Sequence, residues 1–183
     1  VRKTLPFSGE ELMTPYMQIL AAVLGIGFPD PVFDAFEAMR SQDKKTVMEG
    51  GSDAVSAQFR LASTAPFREV AKARLARETQ KQKIAAYFND GVDAILLPVT
   101  PIPAFAHNHN GTFSDRTIQV DNKTEPYGAL LNWIGLATSL HLPALVVQAG
   151  RTPSGLPVGV QIAGSWNSED QLFDIGAAVE QEL

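Results

Sequence analysis

The segments with a β-strand pattern all lie in the second half of the chain, which limits the sheet that this sequence can form. Asp93–Val99 and Ala144–Gln148 are short continuous apolar runs, typical of strands covered on both faces. Val158–Ile162 alternates apolar residues with small or polar ones, which predicts a third strand with a close backbone approach at Gly159. Arg151–Pro157 carries the proline and glycine of a turn, so the last two strands are predicted to form a hairpin.

The first half is predicted to be helical. A capping-box pattern at Ser8 begins one helix, and Asp30 is predicted to be the N-cap of a second helix with Pro31 at its first position. Ser52 is a candidate cap of a short third helix, and a fourth is expected to run from Pro66 to Asn89. The second helix has an apolar stripe predicted to be buried, comprising Val32, Phe33, Phe36 and Met39.

The remaining segments complete an α/β pattern. A long polar loop is expected over Pro98–Pro126, then a helix over Tyr127–His141. A second capping box at Ser168 begins a closing helix. Its predicted inner face comprises Leu172, Ile175, Gly176 and Val179. We therefore predict a partial mixed sheet of about three strands flanked by helices. Residues 1–92 form a mainly helical segment and 93–183 an α/β segment of one incomplete domain.

Composition excludes several classes of function. The 183 residues contain no cysteine, so neither disulfides nor thiolate metal sites are expected. The net charge of −5 argues against a nucleic-acid binder, and the basic residues of the fourth helix are interpreted as a solvated face. There is no apolar run near 18 residues, so no membrane segment is expected. These features favour a cytoplasmic protein.

No set of catalytic residues emerges from spacing alone. His107 and His109 share a face of the long loop and could bind one metal, but a solvated loop is the favoured interpretation, and no metal is predicted. His141 is expected to end a helix rather than act as a general base. Ser52 lies on a glycine turn without a preceding strand, so a helix boundary is favoured over a nucleophile.

Three segments in order resemble the C-terminal part of the amidase signature family. They are DAILLPVTPIPAF (Asp93–Phe105), LPALVVQAG (Leu142–Gly150) and GLPVGVQIAG (Gly155–Gly164), followed by the acidic Asp170 and a closing helix. The resemblance covers about half of the chain, and it implies the C-terminal part of an amidase-signature fold. It also implies hydrolysis of a carboxylic amide through an acyl-enzyme.

The family activates a nucleophilic serine through a second serine in a cis peptide and a lysine. A serine hydroxyl needs an adjacent base, and a desolvated lysine can serve as that base. These residues belong to a Gly-Ser-rich signature that normally precedes the matched region, so the resemblance implies that they lie before Val1. No catalytic residue is assigned within this chain, which alone is expected to be inactive, and no cofactor is implied.

The resemblance assigns a substrate-binding role to Asn132, Trp133 and Thr138. Gln161 is a further candidate, although a buried amide bonded to the backbone is the favoured interpretation. Leu131 lies near where glutaminyl-tRNA amidotransferases carry an aspartate for the substrate amino group, which argues against a glutamine-specific enzyme. Three other positions depart from the family pattern: Thr138 replaces a common Asn, His141 a common Gly and Gln148 a common Pro.

The leading hypothesis is the C-terminal part of an amidase that supplies scaffold and substrate pocket for a small-molecule amide. Its expected partner is the missing N-terminal half of the same protein or a second copy of the chain. The alternative is a naturally short, non-catalytic protein that binds an amide-like ligand or a partner. A third hypothesis, a complete enzyme, would use His107, His109 or His141 with a serine.

Overall fold

The computed structural model describes residues 4–50, 53–113 and 115–182. In these ranges the chain forms α1 (Gly9–Gly25), α2 (Asp30–Glu49), α3 (Ala54–Ser63), α4 (Phe67–Asn89), β1 (Ile95–Pro98), β2 (Thr117–Val120), β3 (Lys123–Pro126), a 3-10 helix (Tyr127–Leu131), α5 (Gly135–Leu140), β4 (Ala144–Arg151), β5 (Pro157–Ala163) and α6 (Glu169–Glu182). The chain divides into two compact units. The helical unit is Glu10–Thr79, and the sheet unit comprises the described residues up to 9 and from 80 onward.

The four predicted N-terminal helices are confirmed, with small shifts of their ends. The second begins one residue earlier than predicted, because Pro29 occupies the cap position and Asp30 is already helical. The candidate cap Ser52 lies outside the described residues. None of the helices in the described ranges is long and apolar enough to cross a bilayer.

The predicted buried stripe of α2 is only half correct. Phe33 and Phe36 are partly buried, and the Phe36 ring packs edge-on against Phe28 with centroids 5.6 Å apart. Val32 and Met39 are exposed at 38% and 43% of their surface. The reason is that α2 packs mainly against α3, so that only part of the apolar stripe is covered within the helical unit.

A buried ion pair joins α2 to α3. The Asp43 side chain is 1% exposed, and both of its carboxylate oxygens accept hydrogen bonds from Arg60, from Nε at 2.9 Å and from a terminal nitrogen at 2.5 Å. This bonding raises the pKa of the Arg60 guanidinium. Arg40 adds a second link, because it donates to the backbone carbonyls of Leu61 and Thr64 at the end of α3.

We expect Asp43→Asn to destabilise the helical unit by about 3 kcal/mol, because Arg60 loses its buried charge partner. This value is at the lower end of the cost of breaking a buried ion pair, because 19% of the Arg60 side-chain surface remains exposed to solvent. Urea unfolding followed by far-ultraviolet circular dichroism measures the change. Asp34→Asn, on an exposed position of the same helix, is the control and should stay within about 0.5 kcal/mol. Equal midpoints for both variants would contradict a stabilising role for the pair.

The glycine at the end of α1 is fixed by a close contact with α3. A β-carbon on Gly25 would overlap the carbonyl oxygen of Ser63, a backbone atom that has little freedom to move. At Gly27, two residues further on, a β-carbon would make only an ordinary contact with the Leu24 carbonyl at 3.6 Å. The first glycine therefore sets how closely the two helices approach.

We expect Gly25→Ala to cost about 2 kcal/mol through overpacking, because α1 and α3 must separate to admit the methyl group. Gly27→Ala is the matched control and should change the free energy of unfolding by less than about 0.5 kcal/mol. Thermal unfolding of the two variants gives the comparison. A loss of stability at Gly27 as large as that at Gly25 would show that the contact with Ser63 is not the cause.

The three predicted strands of the main sheet are confirmed, in the order β1-β5-β4. Both pairings are antiparallel, so the expectation of a mixed sheet is corrected for the described strands. The reason is the connection: β4 and β5 form the predicted hairpin, and β1 pairs with the free side of β5. The predicted close approach is also confirmed, because a β-carbon on Gly159 would lie 2.9 Å from a methyl carbon of Val146.

The core of the sheet unit lies between α6 and one face of the sheet. Val147, Ile162 and Leu172 are its buried members. Partly buried residues around them are Ala94, Leu145, Val160, Ile175 and Val179. The predicted inner face of the closing helix is thus confirmed. The prediction that the first strand is covered on both faces is wrong, since Leu96 at the edge of the sheet is 54% exposed.

The predicted loop over Pro98–Pro126 contains a hairpin that the sequence analysis missed. β2 and β3 pair antiparallel, with Val120 opposite Lys123. The turn between them is Asp121-Asn122, where both residues have positive φ, at 47° and 65°. This is the conformation of a two-residue hairpin turn, which aspartate and asparagine tolerate better than most residues.

The helix predicted over Tyr127–His141 is divided into two shorter ones. A 3-10 helix spans Tyr127–Leu131, and α5 spans Gly135–Leu140. The intervening turn contains Asn132 and Trp133, whose side chains are both exposed. The division matters for the site because the backbone of this turn faces β5.

Candidate functional site

An open depression of about 670 Å³ lies where α5 ends and β4 begins. Its apolar lining is Ala137, Leu142, Pro143 and Ala144. Its polar lining is Thr138, His141, Gln161, Asn167 and Glu169, and the Trp166 ring completes the wall. All of these residues belong to the sheet unit. The depression therefore combines an apolar surface with several converging hydrogen-bonding groups, as ligand sites commonly do.

Gln161 is the buried polar group of the depression. It lies on the central strand, opposite Val146 of β4 and Leu97 of β1, and only 4% of its surface is exposed. Its Nε2 donates to the backbone carbonyl of Trp133 at 3.3 Å. The predicted backbone partner is thus found, and it accepts from one of the two N–H groups of the amide.

His141 and Trp166 form the opposite rim. His141 ends α5 in the left-handed conformation with φ at 57°, and its backbone N–H bonds to the Ala137 carbonyl. The position at a helix C-terminus is the one predicted, and the left-handed conformation there is the one that glycine adopts most readily. The His141 carbonyl accepts a hydrogen bond from Trp166 Nε1 at 2.7 Å. Lys81 Nζ lies over the same indole ring, 4.5 Å from its centroid.

Of the three residues that the resemblance assigned to substrate binding, the structure brings only Thr138 into the depression. Asn132 and Trp133 lie on the neighbouring turn and do not line the depression. The Trp133 side chain is 39% exposed, and the Trp133 backbone carbonyl orients Gln161. The sequence analysis missed Trp166 and Glu169. Trp166 lies in the loop before α6 and Glu169 is the first residue of that helix, whose capping box indicates a helix start but not a contact with the depression.

The histidines of the long loop are not part of this depression. The His107 and His109 rings lie edge to face with centroids 5.7 Å apart. Among residues 4–50, 53–113 and 115–182, no group of three or more His, Cys, Asp or Glu side chains is placed to hold a metal ion. The same loop contains a turn in which Asp115 Oδ2 accepts hydrogen bonds from the Thr112 amide and hydroxyl, both at 2.8 Å.

These hydrogen bonds lower the pKa of Asp115, chiefly through the Thr112 backbone amide. Because the pKa of Asp115 is lowered in the folded chain, the ionised carboxylate stabilises the turn at pH values above 3.8, the ordinary pKa. This stabilisation is lost as the pH falls through the lowered pKa. We expect the Thr112 amide proton resonance to titrate with a midpoint below 3.8. In Asp115→Asn this step should be absent. A midpoint at or above the ordinary value would contradict the hydrogen-bonded turn.

The family of the chain follows from a comparison with known proteins. The sequence profile of the Amidase family matches residues 3–173, which is most of the chain. The chain therefore belongs to the amidase family, and the resemblance inferred from its three motifs is confirmed.

The chain matches only part of the length of its curated relatives. Indoleacetamide hydrolase of Allorhizobium ampelinum is 33% identical over 95 residues, which are 52% of this chain and 20% of that protein. The glutamyl-tRNA(Gln) amidotransferase of Bartonella tribocorum has a subunit that is 33% identical over 111 residues, which are 61% of this chain and 21% of the relative. The chain thus spans about a fifth of the length of the curated relatives it matches.

Solved structures show the same fold. The chain is similar to a crystal structure of an amidase, with a TM-score of 0.62 and 21% identity over 94% of this chain and 36% of that one. It is also similar to 6-aminohexanoate cyclic dimer hydrolase complexed with substrate, with a TM-score of 0.60 and 15% identity over 99% of this chain and 37% of the other. The α/β architecture is thus that of amidase-signature enzymes.

Proposed function

We propose that this chain supplies the C-terminal scaffold and part of the substrate pocket of an amide hydrolase. The observation that carries the proposal is the depression in which Thr138 and Gln161 meet an apolar wall, in a chain that belongs to the amidase family. Such a lining suits a carboxamide, which combines an apolar body with hydrogen-bonding groups. In this proposal residues 1–92 and 93–183 are the helical and α/β segments of one incomplete domain.

The chemistry belongs to a Ser-Ser-Lys set on a segment outside these 183 residues. In the complete protein the nucleophilic serine attacks the amide carbonyl, a second serine passes its proton, and the lysine acts as base. Backbone N–H groups of a glycine-rich loop stabilise the oxyanion that forms. The C–N bond then breaks as the leaving nitrogen takes up the proton, and ammonia or an amine departs. Water finally hydrolyses the acyl-enzyme, which releases the carboxylic acid and restores the serine. No residue of this chain is assigned a catalytic role.

Asn132, Trp133 and Thr138 keep the substrate-binding role that the resemblance gave them. Thr138 is exposed within the depression, where its hydroxyl is available to a ligand. Asn132 and Trp133 lie on the turn whose Trp133 carbonyl orients Gln161, and both of their side chains are exposed. We propose that the Trp133 ring flanks the acyl group of the substrate.

Exposed apolar side chains on the sheet support a partner that covers it. Val146 is 53% exposed on the face opposite α6, and Leu96 is 54% exposed at the edge strand. Apolar strand residues are normally covered, since their exposure leaves an interaction surface. The N-terminal half of the same protein is the proposed partner, and self-association is expected where that half is missing.

The substrate is proposed to be an aryl or aliphatic carboxamide rather than glutamine. The name of one relative, indoleacetamide hydrolase, is consistent with this choice, and an apolar ring surface lines the depression. The amidotransferases among the relatives favour glutamine, but Leu131 offers no charge to a substrate amino group.

The test compares the 183-residue chain with the protein as its native host makes it. We expect the native protein to have an intact mass well above 19.8 kDa and to release ammonia from phenylacetamide, while the chain alone releases none. Hydrolysis by the chain alone would contradict the proposal and favour a complete enzyme that uses a histidine. A native mass near 19.8 kDa without turnover would favour the non-catalytic binding protein instead.

A matched pair of variants tests the pocket in the native protein. Thr138→Val should lower kcat/KM for phenylacetamide about fivefold, the usual effect of losing one hydrogen bond in the transition state. Thr117→Val changes an exposed threonine of β2, outside the depression, and should leave kcat/KM unchanged. Equal effects of the two changes would contradict a substrate-binding role for Thr138.

A further inference from the structure

We infer that Asn110 is a self-modification site, which converts to aspartate and isoaspartate without an enzyme when the backbone nitrogen of Gly111 attacks its side chain. The site lies in the loop between β1 and β2 and does not line the depression. The inference is therefore independent of the proposed function, and either one can fail without the other.

The reaction joins the asparagine side chain to the peptide bond that follows it. The Gly111 nitrogen forms a bond to Cγ of Asn110, the bond from Cγ to Nδ2 breaks, and the Gly111 N–H proton leaves with Nδ2 as ammonia. Water then opens the resulting five-membered succinimide at either of its two carbonyls. One opening gives aspartate, and the other gives isoaspartate, in which the main chain runs through the former side chain. Water is the co-reactant, so the step needs no cofactor.

The sequence places a glycine after one asparagine alone. Each of the other five asparagines is followed by a residue whose side chain crowds the attacking nitrogen; they are Asn89, Asn108, Asn122, Asn132 and Asn167. Gly111 has no side chain, and its φ of 68° lies in the left-handed region that glycine adopts at little cost. The dipeptide Asn110-Gly111 is therefore the least hindered site for this attack.

Both reacting groups are exposed in the structure. Within the described ranges of the chain, neither the Asn110 side chain nor the Gly111 N–H takes part in a hydrogen bond. The hydrogen bonds of this loop involve other atoms: the Asn110 backbone N–H donates to Asn108 Oδ1 at 3.0 Å, and the Gly111 carbonyl accepts from Arg116 at 3.4 Å. The attack therefore breaks no hydrogen bond of the nucleophile or of the amide that it attacks.

Asn89 is also exposed, but the nitrogen that follows it is held by the fold. Asn89 is the last residue of α4, and the backbone N–H of Asp90 donates to the Ala86 carbonyl at 3.1 Å. Attack at this position must first break that hydrogen bond at the end of the helix. The two asparagines thus allow the effect of the glycine to be separated from the effect of the backbone environment.

Conversion changes the loop next to Arg116. The product has a negative charge in place of a neutral amide, and isoaspartate places one extra main-chain atom before Gly111. Arg116 Nη2 donates to the Gly111 carbonyl, and Arg116 Nε is buried. We therefore expect the Arg116 Nε–H resonance to shift in the converted protein.

The experiment incubates the 183-residue chain in mildly alkaline buffer and follows each asparagine by mass spectrometry of its peptides. We expect conversion at Asn110 and at none of the other five asparagines over the same period, with isoaspartate identified by fragmentation of the peptide. A synthetic peptide of residues 106–113 gives the rate of the unfolded segment. If Asn110 stays intact in the folded chain while the peptide converts, the inference is overturned.

Two variants separate the sequence from the structure. Asn110→Gln would require a six-membered ring, so conversion at this position should be lost. Asp90→Gly gives Asn89 the same following residue as Asn110 while the N–H of position 90 remains in the helix. We expect Asn89 in this variant to convert about fivefold more slowly than Asn110, the effect of breaking one hydrogen bond, and at the same rate in urea.

Faster conversion at Asn89 than at Asn110 in folded Asp90→Gly would overturn the argument from the open loop. Unchanged conversion at position 110 in Asn110→Gln would overturn the succinimide route. If either variant does not fold, the time course of the unmodified chain against the synthetic peptide decides the matter.

Discussion

The register of the central strand is the constraint on which the sheet unit depends. β5 is paired on both sides, so alternate residues along it point to opposite faces. Ile162 joins the core beneath α6, while Gln161 and Gly159 face the other way. A shift by one residue would place the amide in the apolar core and Ile162 against the depression. The same pairing therefore determines both the stability of this unit and the chemistry of its surface.

The candidate site is assembled from backbone groups as much as from side chains. The Trp133 carbonyl orients Gln161, and the His141 carbonyl holds the Trp166 indole. Both carbonyls belong to the segment around α5, which therefore positions groups from β5 and from the loop before α6. A side chain of that segment affects the depression only if it belongs to the lining, as the side chain of Thr138 does. Because backbone groups make these contacts, we expect side-chain substitutions in this segment to leave them in place.

Regular elements with strong patterns were predictable, and contacts between them were not. The alternation of Val158–Ile162 indicated the central strand, and the face of α6 followed from its periodicity. The Asp121-Asn122 hairpin was missed because its short strands are polar and resemble a loop. Exposure of Val32 and Met39 was missed because periodicity indicates which face is apolar, not whether anything covers it. The contact of Trp166 and Glu169 with the depression depends on tertiary packing, which neither the loop nor the capping box at the start of α6 indicates.

The positions of the two tryptophans have a practical consequence for spectroscopy. Trp133 and Trp166 both belong to the sheet unit, and the sequence of the helical unit Glu10–Thr79 contains none. Intrinsic indole fluorescence therefore reports on the surroundings of the depression and is silent on α1, α2 and α3. Circular dichroism at helix wavelengths weights the helical unit instead. The two optical signals, recorded on one sample, distinguish cooperative unfolding of the whole chain from independent melting of its two units.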